Sequence, residues 1–204
     1  AALNSNIADA LRMVAGAAQR REPLSADLIC LWHERVMRGL EPDDPQESAL
    51  LAGADWRGNF RGSTAQMDLP VAVGGLPGAD PAEVAAQVDE LLVLLAPLIA
   101  ELDSRVAGPV PDSEAEIADI IALAGFAHAQ WVRIHPFVNG NGRTARMIVF
   151  FIQRRYGLPD FLPVRPRPRG EYERASQAAM RDEWEPTRKL FARLLAERLK
   201  GSPP

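Results

Sequence analysis

The chain has 204 residues, 47% of them hydrophobic, and a formal net charge of −4. That length suits one domain whose core buries most of its apolar surface, and the acidic balance gives no general reason to expect nucleic acid as a partner. One cysteine and three histidines exclude an intrachain disulfide and argue against a structural zinc site. Nothing therefore points to an oxidising compartment, and a cytoplasmic location is expected. Cys30, in the apolar run Leu28-Ile29-Cys30-Leu31, reads as a buried, inert thiol. No run is expected to cross a membrane, since the best candidate, Leu91 to Ile99, is short and contains Pro97. Ala1-Ala2-Leu3-Asn4 shows no basic stretch leading into an apolar one, so no signal peptide is expected.

Most segments carry helical periodicity. Asn4 or Ser5 is expected to cap a helix with Ile7, Leu11, Val14 and Ala18 on one face. Ser25 is expected to cap a second, with Leu28, Ile29, Trp32 and Val36 inward, and Glu41 to Asp44 reads as loop. Residues 58–78 differ. They are rich in Gly and Pro and hold the β-like run Leu69-Pro70-Val71-Ala72-Val73, which predicts an irregular flap or short hairpin whose strand is confined to an edge by Pro70. Asp80-Pro81 starts a long helix that Pro97 is expected to kink or end. Ser113-Glu114-Ala115-Glu116 is a capping box, and the helix behind it is apolar on most sides, as for the middle of a bundle. It should end near His135, because Pro136 disfavours helical geometry for the residue before it. A second apolar helix carries Ala145 and Met147 to Ile152, Leu162 to Gly170 reads as an extended Pro/Arg linker, and two helices close the chain.

The informative element is the loop between the two central helices. Asn139-Gly140-Asn141-Gly142 can adopt positive φ, which aims consecutive backbone N–H groups into one anion nest. The nest opens a helix whose positive dipole end adds to it. Arg143 and Arg146 follow on roughly one face, so the arrangement suits a polyphosphate better than a lone carboxylate. His135 stands at the other rim, where an imidazole is a workable general base near neutrality. Phe137 is expected to point into the core and pin the loop. A base over a phosphate cradle suggests phosphate-linked group transfer to a hydroxyl.

These residues match a known pattern. The run His135 to Arg146, HPFVNGNGRTAR, resembles the Fic motif H-x-F-x-[D/E]-G-N-G-R-x-x-R at every defined position except 139. The resemblance covers roughly Trp56 to the C-terminus. It implies an all-α, Fic-like helical bundle with a short β-hairpin flap, a single domain over 1–204 with the flap at about 58–78 and the motif loop at 135–146. It also implies transfer of AMP from ATP to a hydroxyl of a target protein, with Mg²⁺. His135 would deprotonate the acceptor, Gly140, Asn141 and Gly142 would hold the α- and β-phosphates, and Arg143 and Arg146 the β/γ end. The flap, Thr64 to Val73, would pair with the target, with Thr64, Ala65, Gln66, Met67, Asp68 and Leu69 as docking residues. Asn139 borders the phosphates at the family's metal position, where an Asp or Glu is usual; its neutral carbonyl oxygen is a weaker ligand for a hard dication.

The family's inhibitory helix, [S/T]-x-x-x-E-[G/N], finds no match. Ser5 to Ala10 has the spacing but a shorter acid and no Gly or Asn after it, so any restraint is expected from a separate, antitoxin-like protein or from a segment outside this sequence. Blander readings stand beside these. His128 reads as a hydrogen-bonded core histidine and His33 as structural. Arg143 and Arg146 could bridge to acids on other helices. Arg165-Pro166-Arg167-Pro168-Arg169 could grip an acidic target or a phosphate, with a solvated polyproline linker preferred, and Tyr172 and Trp184 could flank an adenine or simply pack. AMP transfer is the leading function. The alternatives are a catalytically impaired nucleotide-binding regulatory protein, a related enzyme with another phosphate-containing donor, and a helical interaction module without ligand. Neither nucleic acid nor membrane is expected as a partner.

Overall fold

The computed structural model describes residues 2–42 and 45–201. Among these the order is α1 (Ala2–Gln19), α2 (Ala26–Met37), α3 (Pro45–Leu50), β1 (Ala72–Val73), β2 (Leu76–Pro77), α4 (Val84–Arg105), α5 (Glu114–Ile134), α6 (Asn141–Arg155), α7 (Glu171–Ala179) and α8 (Glu185–Leu199). The fold is all-α with one short hairpin, as expected. Of the expected loop from Glu41 to Asp44, Asp43 and Asp44 lie outside the described residues.

α5 and α6 form the centre. α5 packs against α4, α6, α7 and α8, while α6 packs against α1 and α2. Both are buried around most of their circumference because their apolar residues are not confined to one stripe. By length and composition α5 could cross a membrane, contrary to the expectation that no run could. Its apolar residues are dispersed around the helix rather than contiguous, and 67% of its most apolar stretch is buried in the bundle.

Local signals explain most element ends. Ser25 Oγ accepts from the Leu28 N–H, Asp80 Oδ1 from Ala82, and Ser113 Oγ from Glu116. Two expectations differ. Asn4 and Ser5 do not cap α1, which already runs from Ala2. Asn6 instead fastens this end to the end of α2, its Nδ2 donating to the Arg38 carbonyl at 2.7 Å. α4 also runs unbroken through Pro97. Pro97 has no N–H for the Val93 carbonyl, but Val93 is 72% exposed, so water can take the place of the missing helical donor.

The flap is more structured than an extended strand. Ala72 pairs with Pro77 and Val73 with Leu76 across a Gly74-Gly75 turn in which both φ values are positive (57° and 82°), the geometry that suits a two-residue hairpin. Ala65–Met67, however, form a 3-10 turn. The flap backbone is already used internally there: Gly62 N–H donates to Met67, Met67 to Thr64 and Leu69 to Met67. Met67 is buried. Thr64 to Leu69 thus form a turn and not an extended strand, and the paired strand of the flap lies at Ala72–Val73.

Candidate active site

His135 caps the C-terminus of α5 in the left-handed region, with φ 54° and ψ 57°. Its N–H still bonds the Trp131 carbonyl at 3.0 Å, after which Pro136 turns the chain away from the helix. The conformation costs roughly 1–2 kcal/mol for a residue with a Cβ. The ring Nδ1 lies 3.1 Å from the Val132 carbonyl. A carbonyl only accepts, so Nδ1 carries the proton and Nε2 is left with its lone pair. Burial pushes the His135 pKa down to about 4; the bond to Val132 opposes this and the Arg61 cation adds to it. At neutral pH the imidazole is therefore an unprotonated base.

The loop that follows is closed by one side chain. Asn141 Oδ1 accepts from the Phe137 N–H at 2.9 Å, and its Nδ2 donates to the Phe137 carbonyl at 2.6 Å. The Phe137 ring is buried and stacked on His33, with centroids 3.6 Å apart and planes 4° apart. His33 Nδ1 accepts from the Gly58 N–H at 2.9 Å, so Nε2 carries the proton and donates to the Asn139 carbonyl at 2.9 Å. His33 thus supports the loop from beneath. Burial pushes its pKa to about 3, the Asn139 bond opposing and Arg143 and Arg57 adding, which keeps the neutral ring that this donor–acceptor pair requires.

α6 starts at Asn141, and the N–H groups of its first turn, those of Asn141, Gly142 and Arg143, have no acceptor within the helix itself. Positive φ is confined to Gly140 (82°) rather than spread over residues 139–142. A Cβ at Gly140 would also lie 2.9 Å from His33 Nε2 and 3.0 Å from Met37 Sδ. Gly142 is helical; a Cβ there would come within 3.2 Å of Arg146 Nη1. Arg146 is 3% exposed. Its Nε and Nη2 donate to the Val164 carbonyl at 3.1 and 3.0 Å, and Nη1 donates to the Tyr172 hydroxyl at 3.0 Å. Arg143 Nη2 donates to Asn139 Oδ1 at 3.1 Å. Arg146 thus spends its bonds on a carbonyl and a hydroxyl and not on an acid, which weakens the reading of it as a bridge between helices.

Every residue from Asn139 to Arg143, with His135 and Arg146, borders one cleft of about 800 Å³. Its other walls are the hairpin at Ala72 to Gly74 and the segment Val164 to Arg167. Tyr172 borders it too, its hydroxyl also bonded to His128 Nε2 at 2.8 Å. His128 is the expected hydrogen-bonded core histidine. Trp184 is elsewhere, edge-on to Phe126 at 5.7 Å, and Thr64 to Leu69 do not border the cleft. The solvated-linker reading holds for Arg165 to Arg167 and Arg169, which are exposed, but not for the start of the segment, where Leu162 is buried. Val164 is buried and its carbonyl is held by Arg146, which brings Arg165 and Arg167 to the cleft wall.

Sequence reasoning missed Arg61, which is 1% exposed. Its Nε donates to the His135 carbonyl (2.8 Å), Nη1 to Leu69 (2.9 Å), and Nη2 to Ala79 (2.9 Å) and Ile134 (3.2 Å), while its own N–H bonds the Pro136 carbonyl at 2.8 Å. One guanidinium thereby ties the flap to the base and holds the strained C-cap. Burial pulls the Arg61 pKa below its ordinary value, with Asp80 opposing. Arg61→Met should be strongly destabilising, at about 1–3 kcal/mol for each buried carbonyl left without its donor. Urea unfolding measures this, and a loss under about 1 kcal/mol would mean that water replaces the guanidinium. His33 had one legible signal: it falls between Ile29 and Met37 at helical spacing, and a polar ring on a core face needs buried partners.

The profile of the Fic/DOC family matches residues 23–152. Among curated proteins, the protein adenylyltransferase fic-1 of Caenorhabditis briggsae is 44% identical over 57 residues, 28% of this chain and 11% of that protein. Its Caenorhabditis elegans namesake is 48% identical over 50 residues, 24% of this chain and 10% of that protein. The chain therefore aligns with only about a tenth of the length of these relatives. In three dimensions it resembles a Fic domain containing signaling protein from Bacteroides thetaiotaomicron, with TM-score 0.61, 20% identity and coverage of 100% of this chain and 74% of that one. It also resembles residues 134–508 of Fic-1 from C. elegans, with TM-score 0.55, 24% identity and coverage of 97% and 51%. At these identities the structural likeness bears on the fold alone.

Proposed function

Because the chain belongs to the Fic/DOC family, we propose that it transfers AMP from ATP to a hydroxyl side chain of a target protein. The observation that carries this reading is the pairing, in one cleft, of an imidazole whose Nε2 is unprotonated with the N-terminus of α6. His135 Nε2 accepts the proton of the acceptor hydroxyl as its oxygen attacks the α-phosphorus. The bond from that phosphorus to the bridging oxygen breaks, and pyrophosphate leaves. The N–H groups of Asn141, Gly142 and Arg143, the Arg143 guanidinium and the two N–H groups that Arg146 has not spent on Val164 and Tyr172 stabilise the developing charge. The hairpin edge at Ala72–Val73, on the cleft wall, is where an extended target segment would dock by strand addition.

Mg²⁺, which the family resemblance implies, fits the residues present poorly. Asn139 offers a neutral oxygen that already accepts from a guanidinium, and no cluster of three or more His, Cys, Asp or Glu exists among the described residues. No step is assigned to the metal. Asn139 also supports a second reading, a nucleotide-binding protein of low transfer activity. One experiment separates the two: incubation with target lysate and ATP labelled in the α- or the γ-phosphate. AMP transfer requires protein-bound α-label and no γ-label. Bound γ-label would mean another reaction, and neither label, with nucleotide still bound, would favour the second reading.

A further inference from the structure

We propose that Arg165 and Arg167 form a second cationic wall of this cleft, which holds the terminal phosphates of a nucleoside triphosphate without a bridging divalent cation. The inference rests on the nucleotide reading above and specifies how the site neutralises its ligand.

The wall is built by the motif itself. Arg146 spends Nε and Nη2 on the Val164 carbonyl, and the Val164 side chain is buried, so the backbone is fixed just before Arg165. Pro163, Pro166 and Pro168 restrict φ along the segment, which lowers the entropy lost when the arginines engage a ligand. Arg165 and Arg167 both border the cleft, as the hairpin does. Neither makes a hydrogen bond or ion pair among the described residues, whereas Arg154, Arg155, Arg188 and Arg193 each meet a carboxylate. Among the described residues bordering the cleft, four are arginines and none is acidic. A guanidinium keeps its charge at any physiological pH and can pair with phosphate through two parallel N–H bonds.

Position 139 supplies the complementary half of the argument. Where a carboxylate would draw a dication between the phosphates, Asn139 Oδ1 instead faces Arg143 Nη2 at 3.1 Å. A dication at that oxygen would meet a guanidinium. The negative charge of a triphosphate must then be balanced mainly by arginines, and the motif alone provides two. The alternative occupant of the arm, an acidic segment of the target, is less favoured because the arm is pinned by the motif's own Arg146 and walls the same cleft as the α6 N-terminus.

The test is calorimetry with ATP, ADP and AMP, each in EDTA and in excess Mg²⁺. It is run on the native protein, on the double variants Arg165→Ala/Arg167→Ala and Arg165→Lys/Arg167→Lys, and on Asn139→Asp. Urea midpoints confirm that each variant is folded. The native protein should bind ATP in EDTA about as well as in Mg²⁺. The alanine pair should weaken ATP binding about 10–100-fold, the scale of lost hydrogen bonds to a charged group, and leave AMP nearly unchanged. The lysine pair should fall between, since charge survives without the fork. Asn139→Asp should make ATP binding Mg²⁺-dependent. ATP binding that requires Mg²⁺ in the native protein, or is equal in the native and alanine forms, overturns the inference and leaves the proposed function standing. Equal weakening of AMP and ATP overturns it as well, and so does unchanged nucleotide binding with weakened target capture, which would assign the arm to an acidic partner. Failure of the native protein to bind any nucleotide removes both the inference and the function it rests on.

Discussion

His135→Ala should lower AMP transfer by about 10²–10⁴-fold, the usual contribution of a positioned general base, with nucleotide affinity nearly unchanged. The affinity should survive because the ring bonds Val132 of its own helix, while Asn141 and His33 hold the following loop independently. His135→Asn is the companion variant, since Asn tolerates the left-handed backbone at this position better than most residues. Both variants should be inactive and folded. The pH dependence carries a second signature. Burial holds the His135 pKa down to about 4, so the base form persists well below the ordinary value of 6.5. The acid limb of kcat/KM, which reports the free protein, should accordingly fall toward pH 4. Full activity in either variant would mean that another group takes the proton. An acid limb centred at 6.5, with the protein still folded, would mean that the ring is more solvated than its burial implies.

The protein should lose stability steeply in mild acid, before its carboxylates titrate. His33 and His128 are fully buried, and their pKa values are pushed down to about 3 by burial, with Arg146 adding at His128. In the unfolded chain each would protonate near 6.5. Below that pH the unfolded state binds more protons than the folded one, so unfolding becomes easier as pH falls. The loss is about 1.4 kcal/mol per pH unit per histidine and continues until the folded pKa is reached. For the pair this amounts to about 3 kcal/mol between pH 7.5 and 5.5, and about 5 kcal/mol by pH 4.5. A domain with ordinary stability of about 5–15 kcal/mol would be near or past unfolding there. Urea unfolding at pH 7.5 and 5.5 measures the effect, and a flat profile across that window would sink it. The two predictions interact: activity assays below pH 5.5 need short exposures and a return to pH 7.5 to show that any loss is titration of His135 and not unfolding.

Much of the molecule was legible in the order of its residues because the governing interactions are local. Periodicity placed the long helices, Ser25, Asp80 and Ser113 marked their starts, and Pro136 marked the end of α5. The loop from His135 to Arg146 was also readable: a proline, a glycine that takes positive φ and a helix start within a dozen residues leave few conformations, and the anion-binding character follows from backbone geometry alone. Other features depended on partners distant in sequence. Asn6 binds a carbonyl 32 residues away, a contact that the periodicity of α1 does not announce. His33 and Asn139 are 106 residues apart, and no helical pattern on α2 reveals that its polar ring supports the loop between α5 and α6. Arg61 reads as one charge in a glycine-rich turn until the fold surrounds it with four carbonyl oxygens from two segments. Arg165 and Arg167 are exposed, as a linker would be, and their place at the cleft depends on Arg146 holding the Val164 carbonyl. The sequence by itself determined the helices and the chemistry of one contiguous loop, since both depend on neighbours within a few turns. Tertiary structure alone decided which charges became buried hubs and which came to border the cleft, because a charge takes its role from the partners and the solvent that the rest of the chain leaves to it.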